Sequence, residues 1–228
     1  MAGLEIKHKR SFRWVAIVLW TIILITLVVV GVFAWRFYST GQLPPGIAVK
    51  ALTSGPQVDE TPVTPEQVDN YTVPVSHPRY ISIPSIGIGQ TRVYSVDVDK
   101  NNVLGTPANI SDAAWYDKSA TPGSGYGAVL IDAHNGGYTK DGVFAKLSKL
   151  QPNALVTVER GDGKSFTYKV VSNVTMSLDD VNKYGMQQMM QSVDPNKEGL
   201  SLITCAGNYI PRLGQFDKRV MVRAVITS

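Results

Sequence analysis

The sequence predicts a mainly β domain, a closed or nearly closed barrel of seven or eight strands with two short helices, preceded by one transmembrane helix. Two observations support this fold class. Near the N-terminus, residues 14–35 are 22 consecutive uncharged residues dominated by valine, isoleucine and leucine. From residue 80 onward, short runs of apolar residues, several of them alternating with small or polar ones, are separated by glycine and proline. Many short strands with only brief helices are typical of a barrel.

The predicted membrane-spanning helix is 14–35. At about 1.5 Å per residue it is about 33 Å long, enough for a hydrocarbon core of about 30 Å. Four basic residues precede it, and only Arg36 follows it closely. The four are Lys7, Lys9, Arg10 and Arg13. This bias predicts a cytoplasmic flank at 1–13 and an extracytoplasmic position for the chain after Tyr38. A cleaved signal peptide is the alternative, but Phe33–Tyr38 is a poor match to the small residues of a cleavage site.

The segment 36–77 is predicted to be an extracytoplasmic linker. Seven of the thirteen prolines lie between Ser39 and Pro78, together with few large apolar residues. This composition buries little surface and favours extended conformations, as expected of a stalk that holds the domain away from the lipid. A second interpretation stays open, in which the segment is an extension packed on the domain. Tyr71–Val75 is then the part expected to pack.

The predicted domain, 78–228, has about the usual size of a single folding unit. Its predicted strands are 80–88, 91–98, 127–133, 154–159, 165–175, 200–205 and 219–226. Gly161–Lys164 indicates a β-hairpin between the fourth and fifth of them. The two predicted helices are 143–150, where apolar residues recur at helical spacing, and 178–191.

Composition and cysteine usage exclude several classes of protein. The net charge is only +4, and no basic stripe interleaved with aromatic residues is present, so no nucleic-acid partner is predicted. Cys205 is the only cysteine, which excludes an internal disulfide and any metal site with two cysteines. Asp179, Asp180 and Asp194 are too scattered for a calcium site, and no metal is expected. Cys205 is therefore either a buried structural thiol or a nucleophile.

A catalytic thiol needs a partner that transfers protons, and His134 is the candidate. The other histidines, His8 and His77, lie in the flank and in the linker. His134 directly follows the third predicted strand and precedes a glycine-rich loop, a common position for a functional side chain. Arg219 begins the strand that follows the Cys205 strand. An antiparallel arrangement of these two strands would place its positive charge beside the thiol.

Two further arginines compete for the role of Arg219. Arg212 lies seven residues before it, in the loop between the last two predicted strands. Arg223 shares strand parity with Arg219, but at about 3.3 Å per residue it lies about 13 Å further along. That is too far to share the site if Arg219 is opposite Cys205. Arg219 is therefore ranked first, Arg212 second and Arg223 third.

These residues carry a resemblance to the sortases, the membrane-anchored cysteine transpeptidases of bacterial cell surfaces. Ser201–Cys205 resembles the Thr-Leu-x-Thr-Cys signature of that family, with serine in the first position. Further segments that resemble the family are Ile83–Ile88, Ala114–His134, Val143–Leu147 and Arg219–Ala224. Ala133 stands where the family often has glycine before its histidine. The resemblance covers the chain from about Pro78 to the C-terminus and is nearest to the class F sortases of actinobacteria.

The resemblance implies a sortase-like barrel with Cys205 as nucleophile, His134 as general acid and base, and Arg219 as oxyanion stabiliser. Thr204 is implied as a substrate-binding residue, and no cofactor is implied. The implied reaction cleaves a Leu-Pro-x-Thr-Gly-like signal between Thr and Gly through a thioester, then passes the acyl group to an amine. The implied partners are surface proteins with a C-terminal sorting signal, an amine acceptor (a cell-wall precursor or a pilin lysine), and the cell membrane.

Two other classes stay open. An L,D-transpeptidase is also an exported cysteine acyltransferase, but it would normally carry histidine and glycine close before its cysteine, where Ile203 and Thr204 stand. A membrane-tethered peptide-binding module would not depend on Cys205 for binding. Papain-like proteases are disfavoured, because their histidine follows the cysteine whereas His134 precedes it.

Overall fold

A computed structural model describes residues 11–40, 58–137, 139–210 and 212–227. These fall into two compact units, one within residues 1–48 and one within residues 49–228. Most of the predicted cytoplasmic flank, residues 1–10, lies outside the described residues, as does part of the predicted linker, residues 41–57.

The first unit is helix α1, Ser11–Thr40. Its section Trp14–Arg36 contains 23 residues and is long and apolar enough to cross a membrane. Almost all side chains of this section are exposed within the unit. A helix that is apolar on every side needs an apolar environment around it, and a lipid bilayer provides one. The single helix is therefore compatible with the predicted membrane anchor.

The second unit is an eight-stranded barrel. Its strands are β1 Pro78–Ile83, β2 Ile88–Val96, β3 Ala113–Tyr116, β4 Ala128–Ala133, β5 Leu155–Arg160, β6 Ser165–Ser177, β7 Gly199–Ile210 and β8 Gln215–Ile226. The spatial order is β1-β2-β3-β4-β7-β8-β6-β5, and β5 pairs with β1 to close the barrel. The pairs β2–β3 and β4–β7 are parallel, and the other six are antiparallel. The predicted closed, mainly β barrel is confirmed.

Two predicted elements differ from the observed ones. The predicted strand 80–88 is broken, because Pro84 has no N–H to donate and starts a short 3-10 helix, Pro84–Ile86. Gly87 follows with φ +81°, and β2 then begins at Ile88. The predicted helix 143–150 is a series of turns that ends in a 3-10 helix, Leu147–Lys149. Its apolar residues are nevertheless buried, so the spacing predicted the burial but not the type of helix.

Strand β3 was not predicted from the sequence. Its four residues, Ala-Ala-Trp-Tyr, show no alternation, because Ala113, Ala114 and Trp115 are all buried. β3 lies parallel to β2 and antiparallel to β4. It therefore completes the wall of the barrel on the side that carries His134.

The polypeptide before the barrel differs from a plain spacer over residues 58–77. Helix α2, Pro65–Asp69, begins with a capping box between Thr64 and Gln67. The Tyr71 hydroxyl donates to the Val93 carbonyl at 2.7 Å, and the Tyr80 hydroxyl donates to a carbonyl of α2. These contacts attach residues 58–77 to the barrel, although the proline-rich composition of the segment is typical of an extended linker.

Apolar side chains form two clusters. The larger one fills the barrel and includes Ile81, Trp115, Leu147, Tyr168 and Leu202. The smaller one lies on the outer face of β4, β7 and β8, because side chains alternate between the two faces of a strand. Its buried members are Leu130, Val181, Met189, Ile203 and Met221. A helical segment covers it, made of α3 Leu178–Asp180, a π-helical turn Val181–Gly185 and α4 Met186–Met189.

A buried carboxyl group, that of Glu198, ties the loop before β4 to the barrel. Glu198 is fully buried, and its oxygens accept from the Gly123 N–H at 3.0 Å and the Gly125 N–H at 2.8 Å. The hydroxyls of Ser124 and Tyr168 also donate to it. Glu198→Ala is expected to lower the free energy of unfolding by about 3 kcal/mol or more, because four donors lose their acceptor in a dry interior. Urea unfolding followed by tryptophan fluorescence measures this change.

The matched control for this prediction is Glu159→Gln. Glu159 forms an ion pair with Arg79 at 3.6 Å, and both side chains are partly exposed. Pairs of this kind contribute about 0–1 kcal/mol, so the control is expected to unfold almost as the wild type does. Equal losses in the two variants would show that Glu198 contributes no more than a surface charge.

Candidate active site

The last two strands bring Cys205 and Arg219 together. β7 and β8 are antiparallel, and their register pairs Cys205 with Arg219, which confirms the predicted neighbour relation. Arg223 pairs with Ser201, four residues before Cys205 on β7, and Arg212 is exposed in the turn that joins the strands. Of the three arginines considered, Arg219 is therefore the one directly opposite the thiol.

The guanidinium group of Arg219 is held by the first residues of its own strand. Its Nη1 donates to the carbonyls of Phe216 and Lys218, both at 2.9 Å. Its Nη2 lies 3.4 Å from Oε1 of Gln215. These three residues lie on β8 between the hairpin turn and Arg219, so this part of the β7–β8 hairpin positions the positive charge.

Cys205 is half-buried, and by strand alternation its thiol lies on the face of β7 that also carries Ile203 of the outer apolar cluster. Burial raises its pKa, the positive charge of Arg219 lowers it, and the carboxyl group of Asp132 raises it. Burial is the largest of these effects, so the resting state favours the neutral thiol. A nucleophilic thiolate then has to be generated by a base within the site.

His134 directly follows β4, and its ring is partly buried. Its Nε2 lies 2.7 Å from the carbonyl oxygen of Pro107. A carbonyl oxygen can only accept, so Nε2 carries a proton, and in the neutral ring Nδ1 is the basic nitrogen. Burial lowers the pKa of His134, while the hydrogen bond to Pro107 raises it by less. The neutral imidazole, the form that acts as a base, is thus favoured at rest.

The parallel pairing of β4 and β7 brings the end of β4 beside the part of β7 that leads to Cys205. The last paired residues are Asp132 and Ile203. Cys205 lies two positions further along β7, and His134 lies two positions after Asp132, just past the end of β4. The Thr204 hydroxyl donates to the Ala133 carbonyl at 2.6 Å and joins the two strands between these levels.

Thr204 itself is buried, and its side chain lies on the opposite face of β7 from Cys205. In this structure its hydroxyl connects β7 to the residue before His134. Its implied contact with substrate stays a prediction.

The loop after His134 is held by the polypeptide that precedes the barrel. Asp59 forms a β-bridge with Asn109, and the carboxyl group of Glu60 accepts from the Thr139 N–H at 3.0 Å. A Cβ at Gly137 would lie 2.2 Å from Oε1 of Glu60, so a larger residue there would displace the Glu60 carboxyl group. Sequence reasoning missed these contacts, because they join residues 50 and 79 positions apart with no local pattern.

A second residue that sequence reasoning missed is Asp132. It is only 8% exposed and lies on β4, two residues before His134. Burial raises its pKa to about 7, against the opposing effect of the Arg219 charge. The signal was present in the sequence, since Asp132 is the one ionisable residue in the run 127–133. Within the described ranges, no group of three His, Cys, Asp or Glu side chains is arranged to hold a metal ion.

Comparison with known proteins identifies the family of the barrel domain. The sequence model of the family described as Sortase domain matches residues 81–227, more than half of the chain. No curated protein matches the chain.

Among solved structures, the chain is similar to the lid mutant of sortase A from Corynebacterium diphtheriae. The identity is 22%, the TM-score is 0.50, and the match covers 70% of this chain and 74% of that one. It is also similar to sortase C from Streptococcus pneumoniae, with 18% identity, a TM-score of 0.49 and 75% of each chain covered. Sortase C-1 from Actinomyces oris matches with 16% identity, a TM-score of 0.47, and 65% and 72% of the two chains covered. The family match and the barrel that carries its cysteine together show that the chain belongs to the sortase family of cysteine transpeptidases.

Proposed function

We propose that this sortase cleaves a Leu-Pro-x-Thr-Gly-like sorting signal between Thr and Gly and transfers the threonyl acyl group to an amine. The observation that carries the proposal is the pairing of Cys205 with Arg219, together with the position of His134 directly after the neighbouring strand β4. It supports acyl transfer, because that chemistry uses a thiol, a positive charge and a proton carrier.

In the first half-reaction, Nδ1 of His134 takes the proton of the Cys205 thiol. The thiolate sulfur attacks the threonyl carbonyl carbon and forms a tetrahedral intermediate. As this intermediate collapses, the C–N bond breaks and the imidazolium returns its proton to the departing glycine amine. The products are an acyl thioester on Cys205 and a free peptide with an N-terminal glycine.

In the second half-reaction, an amine attacks the thioester carbonyl. His134 takes the proton that the attacking nitrogen loses, and the C–S bond breaks. Cys205 leaves as a thiolate and is reprotonated by His134, so the enzyme returns to its starting state. Water in place of the amine gives hydrolysis.

The role proposed for Arg219 is to stabilise the negative charge that develops on the carbonyl oxygen in both half-reactions. Its guanidinium has five N–H donors, and the contacts to Gln215, Phe216 and Lys218 employ only some of them. A donor aimed at the developing charge in a site shielded from water contributes more than the same hydrogen bond in bulk solvent.

The proposed location is the cell membrane, with a single-pass anchor, the N-terminus in the cytoplasm and the catalytic domain outside. The basic residues before α1 and the length of its apolar section support this orientation. The proposed substrates are surface proteins with a C-terminal sorting signal. The acceptor is a cell-wall precursor amine or a pilin lysine, which corresponds to wall anchoring or to pilus assembly.

The test uses the full chain in detergent micelles, incubated with Leu-Pro-x-Thr-Gly and Leu-Ala-x-Thr-Gly peptides and hydroxylamine. Mass spectrometry is expected to find cleavage between Thr and Gly and a threonyl hydroxamate, because hydroxylamine is a small amine that can resolve the thioester. Folded protein that cleaves none of the peptides would overturn the proposed signal. If it nevertheless binds them, the membrane-tethered binding module is the better description.

A further inference from the structure

Asp132 is a buried carboxyl group within the outer wall of the barrel. Val129, Ile131 and Ala133 of β4 belong to the cluster inside the barrel, whereas Leu130 belongs to the outer cluster. Alternation therefore puts Asp132 on the outer face, the face of the candidate site. Its Oδ2 is buried and has no hydrogen-bond partner among the described residues. A buried polar atom without a partner is costly and calls for an explanation.

The charged and titratable groups around Asp132 are those of the candidate site. Cys205 on β7 lies two residues beyond the partner of Asp132, and Arg219 on β8 is opposite Cys205. His134 lies two residues along the same chain, and Tyr116 on β3 is half-buried against the outer cluster. The buried side chains of the covering helical segment are apolar, namely Val181 and Met189. Arg223 also faces outward on β8, but it pairs with Ser201 and its guanidinium donates to the Gln191 carbonyl at 3.1 Å. Arg219 is the positive side chain whose charge lowers the pKa of Asp132.

We propose that Asp132 is a positioning residue for the transpeptidation site, because the proton on its carboxyl group sets whether the Arg219 charge stabilises the Cys205 thiolate. While Asp132 holds its proton, the positive charge acts on the thiol alone. When Asp132 releases the proton to solvent, a buried carboxylate offsets Arg219 and opposes a second negative charge at the sulfur.

The electrostatic directions agree with this coupling. The charge of Arg219 lowers the pKa of both Asp132 and Cys205, and the carboxylate of Asp132 raises the pKa of the thiol. Since burial raises the pKa of Asp132 to about 7, its proton is exchanged in the range where a histidine also titrates. Asp132 and Cys205 therefore titrate as a coupled pair rather than independently.

The first test measures the reactivity of the single thiol in the full chain in detergent. The rate of Cys205 alkylation by iodoacetamide is followed by mass spectrometry from pH 5.5 to 10, for wild type and Asp132→Asn. The variant is expected to have a lower thiol pKa and to react about threefold faster or more near pH 8, since half a pKa unit is about a factor of three. A folded variant with an unchanged alkylation profile would overturn the proposal.

The matched control is Asp162→Asn. It also removes one carboxylate, but at the turn of the β5–β6 hairpin, next to the start of β6. Arg219 pairs with Met176 near the other end of β6, so the control position is far from the candidate site. The alkylation profile of this variant is expected to match that of the wild type. A shift equal to that of Asp132→Asn would mean that net charge, not the position of Asp132, changes the thiol.

A second test needs no substitution and applies even if Asp132→Asn does not fold. The chain is labelled with ¹³C at the aspartate carboxyl groups, and their titrations are compared by NMR before and after Cys205 is carboxymethylated with iodoacetate. One aspartate midpoint is expected to move upward, because the modification places a carboxylate at the sulfur. If none of the aspartate midpoints moves, the coupling is contradicted.

The role of Asp132 in catalysis rests on the proposed function. Neither alkylation nor NMR titration requires turnover, so the coupling and the proposed function can fail separately.

Discussion

Cys205→Ala is expected to abolish peptide cleavage and hydroxamate formation, with a loss of at least about a thousandfold. Cys205 is the only cysteine of the chain, so no second thiol can replace it. The alanine variant leaves the β7–β8 pairing intact, because Cys205 joins β8 through its backbone. The measurement compares the two proteins in detergent with the same peptide, by mass spectrometry of the products and of the acyl-enzyme.

The control for this prediction is peptide binding. Fluorescence anisotropy of a labelled sorting peptide is expected to show that the alanine variant still binds, since only the sulfur is lost. Cleavage that survives in Cys205→Ala would exclude the thioester mechanism. Equal binding by both proteins without any acyl-enzyme in the wild type would favour the non-catalytic binding module.

Arg219→Ala is expected to lower kcat/KM by about 10²–10³-fold, the effect of removing one donor from an oxyanion site. Arg219 is paired with Cys205 across the strands, and its side chain is only partly exposed. The substitution also removes the charge that lowers the thiol pKa, so thiolate formation requires a higher pH. Steady-state cleavage of one peptide, together with the pH dependence of Cys205 alkylation, separates these two contributions.

The matched control is Arg212→Ala, which removes the same side chain from the exposed turn of the same hairpin. Its kcat/KM is expected to stay within about threefold of the wild type, as is usual for an exposed rim charge. Equal, mild losses in both variants would show that the arginine assignment is wrong.

Much of the barrel follows from local patterns. The β5–β6 hairpin forms where glycine and aspartate separate two β-prone runs. β4 forms where a run that is apolar except for Asp132 is buried on both sides. The prediction failed at Pro84 and at β3. Pro84 interrupts an otherwise regular alternation, and β3 is four residues long and buried throughout, so its pattern is not distinctive.

The candidate site was predictable in part, because its chemistry depends on rare residue types. One cysteine, a histidine directly after a strand and an arginine in the strand that follows the cysteine strand leave few combinations. The contact between Pro107 and His134 was not predictable, since a backbone carbonyl has no signature in a sequence. The same holds for the segment 58–77, whose proline-rich composition is typical of a linker although its tyrosine, Tyr71, contacts the barrel.

The sequence by itself determined the apolar helix near the N-terminus, the β-rich domain and the identity of the residues able to perform acyl transfer. These depend on composition and on periods of two or 3.6 residues, which are local properties. Only the tertiary structure decided which arginine faces Cys205, which nitrogen of His134 carries the proton, and that Asp132 belongs to the same group. These depend on strand register, burial and long-range hydrogen bonds, because the electrostatic environment of a side chain is set by neighbours distant in the chain.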